Sequence, residues 1–177
     1  QMETNNKSDW SMSNWALYYH SLGYTVFPMW EGTEDKPLVT WGAFTIKKRA
    51  EKEVRDSWTK FPKANIAMIT GSSSGVFVLD TEKDFDIKNL PAVSETLTSK
   101  TSNGGRHFFF KIPPNRIIRT FIEIWGKKPA QKADIKGERG YIVLPPSFNA
   151  KTNSNYEWVD ENVEIAEPPE WLLSQIG

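Results

Sequence analysis

The sequence has no cysteine and only two histidines, His20 and His107. The first absence excludes a disulfide framework, thiolate zinc sites, iron–sulfur clusters and a cysteine nucleophile. The second excludes a metal centre built from several imidazoles. Apolar runs such as Val76 to Leu79 and Tyr141 to Leu144 are short, far below the roughly 20 residues of a membrane-spanning helix. The first residues are polar and carry no apolar signal core. These absences lead to the expectation of a soluble, cytoplasmic protein without a membrane partner.

Net charge is missing too, with 22 basic against 22 acidic residues, but the zero conceals a division. Residues 153–177 hold six acidic side chains and no Lys or Arg, whereas residues 100–152 hold eleven basic and three acidic ones. A basic middle attracts polyanions, and it is equally what a solvated face looks like. Aromatic residues are abundant: eight Trp and ten Phe. Most belong in a core, because each ring buries a large area. A chain of 177 residues suits one domain that buries about 70% of its unfolded surface.

Residues 1–10 are expected to be disordered and 11–177 to form the domain. Ser11 or Ser13 is placed to cap a helix that reaches Leu22 and stops at Gly23. Tyr24 to Met29 reads as a strand. A second helix is expected over Ala50 to Phe61, with Val54, Trp58 and Phe61 at helical spacing and Pro62 behind it. From there the period shortens to that of strands: Asn65 to Thr70, Gly75 to Asp80, Thr96 to Thr101, Arg106 to Ile112, Phe121 to Trp125, Lys132 to Lys136, Gly140 to Leu144 and Asn155 to Val159. A short helix is expected over Phe85 to Asn89 and a terminal one over Pro168 to Ile176. Helices first and strands after predict a mixed α+β domain, with helices packed on mostly antiparallel sheet.

Three motifs carry the chemistry. The apolar strand from Val76 delivers Asp80 and Glu82, two residues apart and therefore on one face. Two facing carboxylates repel each other unless a cation sits between them, and Mg²⁺ or Mn²⁺ suits all-oxygen ligands. The plain alternative is a strand end dissolving into solvent. Next comes Ser102-Asn103-Gly104-Gly105-Arg106-His107. Its glycine pair lets backbone N–H groups approach a phosphate, with Arg106 and His107 as further donors; the plain alternative is a hairpin turn. Third, Asp134 ends a strand before a turn carrying Lys136, Gly137, Arg139 and Gly140. Asp134 is a candidate third carboxylate, and Lys136 and Arg139 are candidate phosphate contacts. Alternatively, Asp134 and Lys136 simply pair along the strand.

In this order, the motifs Asp80-Thr81-Glu82, Gly105-Arg106-His107 and Ala133-Asp134 resemble those of the primase-polymerase branch of the archaeo-eukaryotic primase superfamily. The flanks Tyr24 to Pro28, Lys36-Pro37, Trp58 to Pro62, Ala64 to Ala67 and Thr70-Gly71 are similar to that family's amino-terminal half, so the likeness spans residues 15–160. Two positions depart from the pattern. Gly105 stands where serine is frequent, leaving Ser102 to supply any hydroxyl, and Arg139 stands where glycine is frequent.

The resemblance implies an RRM-like, mostly antiparallel sheet with flanking helices and a smaller amino-terminal αβ unit. It implies template-directed nucleotidyl transfer from nucleoside triphosphates, acting as polymerase, primase or both on single-stranded DNA or a primer-template. Asp80, Glu82 and Asp134 would hold two Mg²⁺ or Mn²⁺ ions, and His107 would touch the triphosphate. Ser102, Gly104, Gly105, Arg106 and Lys136 would line the nucleotide, while Lys36, Lys127, Lys128 and Arg139 would meet nucleic acid. It also implies a fragment of a longer replication protein, with a helicase domain as a partner in the full-length chain.

Three other classes compete. A metal-dependent nuclease would use the same carboxylates with water as nucleophile but would leave the Gly-Gly-Arg-His loop without a task. A rolling-circle-type initiator usually carries two histidines close in sequence, and His20 and His107 are far apart. A non-catalytic single-strand-binding module would stack bases on Phe108 to Phe110, yet consecutive strand residues alternate faces.

Overall fold

The structure, a computed structural model, describes residues 6–91 and 95–176. Helix α1 (Met12–Ser21) starts at a capping box in which Ser11 and Asn14 exchange side-chain and backbone hydrogen bonds. It stops before Gly23, whose φ of +93° is the left-handed turn that favours glycine. Strand β1 (Val26–Met29) follows, and helix α2 (Glu51–Lys60) comes after a loop with a 3-10 turn at Gly42–Thr45. On α2 the buried side presents Val54 and Trp58, and the exposed side carries the i,i+4 pairs Lys52–Asp56 and Arg55–Glu51.

The strands form two principal sheets. β1 pairs with β2 (Asn65–Ile69), which pairs with β7 (Tyr141–Val143). The larger sheet has the order β10 (Glu157–Trp158), β4 (Thr98–Lys100), β5 (Arg106–Lys111), β3 (Val76–Thr81), β6 (Ala133–Lys136). β8 (Phe148–Asn149) and β9 (Ser154–Asn155) make a small hairpin. All of these pairings are antiparallel. With helix α3 (Glu170–Ile176) near the carboxyl end, the fold is mixed α+β.

Alternation along β3 and β5 divides the core. Val76, Val78 and Phe109 point to one face and join Trp15, Tyr19, Val26, Trp58, Ile66 and Met68 between the two sheets. Phe77, Leu79 and Phe110 point the other way and pack with Ile135 and with Leu172 and Ile176 of α3. The outer side of the small sheet holds Phe27, Met29, Ala67 and Ile69 under Val39, Trp41 and Phe44. The amino-terminal αβ unit is thus completed by β7, from the other half of the chain.

Several expected elements differ. Of the segment 1–10, residues 1–5 lie outside the described residues. The rest of it has structure: a 3-10 turn at Lys7–Asp9, and Trp10 edge-on to Trp15 at 5.1 Å. The strand expected over Phe121 to Trp125 is reduced to a bridge between Phe121 and Ile135. The reason is local: Glu123 adopts φ +53°, so the extended run breaks, and its N–H goes to the Asp134 carboxylate at 2.8 Å. The late strand is split into β9 and β10, and the helix expected at Phe85 is a 3-10 turn at Ile87–Asn89. Among the described residues, no helix is long and apolar enough to cross a membrane.

Candidate active site

On β3, Val76 and Val78 are buried between the sheets, and Asp80 extends their row beyond the apolar core. Register then fixes its neighbours. Asp80 lies opposite His107 on β5 and opposite Asp134 on β6, and His107 lies opposite Ser99 on β4. Directly paired residues share a face, so Ser99, His107, Asp80 and Asp134 form one cross-sheet row.

His107 is buried, with Nε2 3.3 Å from Asp80 Oδ1. Burial is the largest influence on the Asp80 carboxyl and pushes its pKa up. The hydrogen bond from His107, the His107 charge and the Lys136 charge together outweigh it, and Asp80 rests below its ordinary value. Asp134 accepts from the Glu123 N–H and has Lys136 Nζ at 3.7 Å. The ring of Tyr156 lies over His107 with centroids 6.4 Å apart.

Asp80 and His107 open into a cleft of about 370 Å³. Its other walls come from Tyr141 and Val143 on β7, Asp35 in the loop after β1, Tyr156, and Thr120, Lys136 and Arg139. The Gly137–Gly140 turn that presents Arg139 is held rigidly. Thr70 Oγ1 donates to Gly137 O (2.7 Å), Gly137 N donates to Thr120 Oγ1 (3.0 Å), and Glu138 N donates to Ile118 O (2.7 Å). Arg139 has φ +60°, a conformation that costs least for glycine. The family's frequent glycine at this place therefore has a backbone reason.

The Gly-Gly-Arg-His segment separates into different tasks. Gly104, at φ +93°, makes the turn, and Gly105 N donates to Thr101 Oγ1 at 2.8 Å. A Cβ at Gly105 would meet Thr81 O at 2.3 Å. Gly105 is thus required by the close approach of β3, and its N–H is taken up inside the turn. Arg106 is set apart from the cleft. Alternation turns it away from His107 into a separate groove with Phe108 and Thr98. Ser102 is buried, and its hydroxyl accepts from Asn149 Nδ2 at 3.0 Å.

Glu82 follows directly after β3, where its N–H still reaches Lys132 O at 3.1 Å. Among the described residues, no three His, Asp or Glu side chains are gathered closely enough to hold a metal ion. Lys36 is exposed beside Asp35, and Lys127 and Lys128 are exposed after Gly126; none of the three lines the cleft. Asp35, Thr120, Tyr141, Tyr156 and Ser99 belong to the site without having been singled out in the sequence. Asp35 had a signal in its neighbour Lys36-Pro37. The others enter through pairing partners distant in sequence.

No curated protein matches the chain in a sequence search. The family model described as bifunctional DNA primase/polymerase, N-terminal, matches residues 16–171. That span is most of the chain and includes the whole row of Ser99, His107, Asp80 and Asp134, so the chain belongs to the Prim-Pol family.

Proposed function

We propose that this cleft joins nucleoside triphosphates to a growing strand on a nucleic-acid template, using two divalent cations. One observation carries the reading: an ionised carboxylate, Asp80, stands between a histidine and a second aspartate in one row at the mouth of a cleft that also holds Lys136 and Arg139. Phosphoryl transfer asks for charge neutralisation and in-line positioning more than for covalent chemistry, and that is what these groups supply.

The donor chemistry fits Mg²⁺ or Mn²⁺. Asp80 and Asp134 are oxygen donors on paired positions of one face, and Glu82 follows two residues after Asp80. These three would hold the ions, with the Glu82 side chain turning in and the Asp134 carboxylate leaving the Glu123 N–H. When bound, such ions neutralise charge on the attacking 3′-hydroxyl and the leaving pyrophosphate.

The remaining roles belong to the chain itself. His107 donates to Asp80 in the free protein and would pass that donor to a phosphate oxygen as Asp80 takes up a cation. Lys136, beside Asp134, and Arg139, on the neighbouring turn, would balance the triphosphate charge. Tyr156 lies beside the His107 ring in the cleft wall and would limit its reorientation.

Primer extension with Mg²⁺ or Mn²⁺ tests the proposal. Asp80→Ala should lose at least about a hundredfold in rate, because a charge needed in the transition state is gone. His107→Ala should raise the nucleotide KM by about tenfold through the loss of one charge-assisted hydrogen bond. Near-normal extension by Asp80→Ala would reject the assignment. Strand cutting without nucleotide, lost in the same variant, would assign nuclease chemistry instead.

A further inference from the structure

We propose that the segment from Arg116 to Ile124, at the outer edge of the five-stranded sheet, receives a single nucleic-acid strand as it passes the cleft; the partner's identity rests on the function proposed above. The backbone of this segment is pinned. Phe121 and Ile135 exchange two hydrogen bonds of 2.9 and 2.8 Å, Ile124 N donates to Ala133 O at 3.0 Å, and Ile118 is buried. On this fixed backbone, large apolar side chains face outward: Ile117 is 73% exposed, Ile122 69% and Phe121 37%.

Positive charge is interleaved with them. Among the described residues, Arg116, Arg119 and Arg139 have no carboxylate within 4.0 Å. Residues 111–139 carry eight basic and three acidic side chains. Two of those acids are already engaged, Asp134 with Lys136 and Glu138 with Ser72. The strip is also continuous with the cleft, because Thr120 lines it and Arg119 forms a backbone bridge with Glu138, next to the cleft's Arg139.

A partner for this surface must offer flat apolar faces and closely spaced negative charges together. Unpaired nucleic acid does so, with base faces for Phe121 and Ile122 and phosphates for the arginines. A duplex hides its base faces in the stack.

The test measures anisotropy of a labelled oligodeoxythymidylate of about 12 nucleotides, titrated with the full chain at several salt concentrations. Phe121→Ala and Ile122→Ser should each weaken binding by about tenfold at every salt, leaving the salt slope unchanged. Arg119→Ala should reduce the slope of log K against log salt by about 0.7. Lys52→Ala, which removes the same charge from α2, should change neither. All of these side chains are exposed, so thermal midpoints should stay at the wild-type value.

Wild-type binding by both Phe121→Ala and Arg119→Ala would overturn the proposal. So would a dimer in sedimentation that Phe121→Ala dissolves, since the patch would then belong to a second copy. Primer extension separates the two readings. Strip-dependent binding without extension would sink the catalytic assignment alone, and extension with strip-independent binding would sink the strip alone.

Discussion

Gly105, just before β5, and Asp80, near the end of the facing strand β3, are constrained by different physics. Gly105 is limited by space: Thr81 O stands 2.3 Å from where a Cβ would be. Gly105→Ala should therefore cost about 1–3 kcal/mol through forced backbone movement, read as a lower urea midpoint. An unchanged midpoint would mean that the β3–β5 approach is looser than described. Asp80 is limited by charge. Burial raises its carboxyl, and His107 and Lys136 bring it below the ordinary value. A depressed folded pKa means that ionised Asp80 stabilises the protein above the unfolded value of about 3.9, and that this is lost as pH falls through the folded value. Asp80→Asn should flatten the acid limb of stability below about pH 4. Parallel acid limbs for variant and wild type would contradict the assigned environment.

At the scale of elements, one hydroxyl of α1 holds two polar groups of the carboxyl-terminal half. Tyr19, buried in α1, donates to Pro145 O at 2.5 Å and accepts from Trp158 Nε1 at 3.1 Å. Burial pushes its phenol well above the usual range, so it stays protonated as a donor. Tyr19→Phe leaves a buried carbonyl and an indole N–H without this partner and should destabilise by about 1–3 kcal/mol, measured by denaturant unfolding. A loss below about 0.5 kcal/mol would mean that water replaces the hydroxyl at little cost. The elements best read from sequence were those with strong local signals. α1 had Ser11 and Gly23 at its ends, and β3 had its apolar run. The strand expected at Phe121 failed because nothing in its composition announces the left-handed Glu123, which the Asp134 carboxylate stabilises from another strand.

At the scale of the molecule, the two sheets share one apolar layer, to which Val26, Ile66 and Met68 come from one and Val78 and Phe109 from the other. β7 completes the amino-terminal sheet from the far half of the chain. Neither part retains its core alone, so unfolding should be a single transition. Tryptophan fluorescence and far-ultraviolet circular dichroism should report the same urea midpoint. Two separated midpoints would show that the layers are energetically independent.

The α+β class was legible in the sequence alone, because alternation and turn residues are local properties of the chain. So was the family resemblance, since motif order survives without coordinates. Tertiary structure alone decided that Asp134 and Ser99 join the row of Asp80 and His107, since register between distant strands is set by packing. It also turned Arg106 away, assigned Gly105 to strand packing, and brought in Asp35, Thr120, Tyr141 and Tyr156. The cleft exists only where one sheet closes over another, and contacts between residues far apart in sequence carry no local signal for a reader to find.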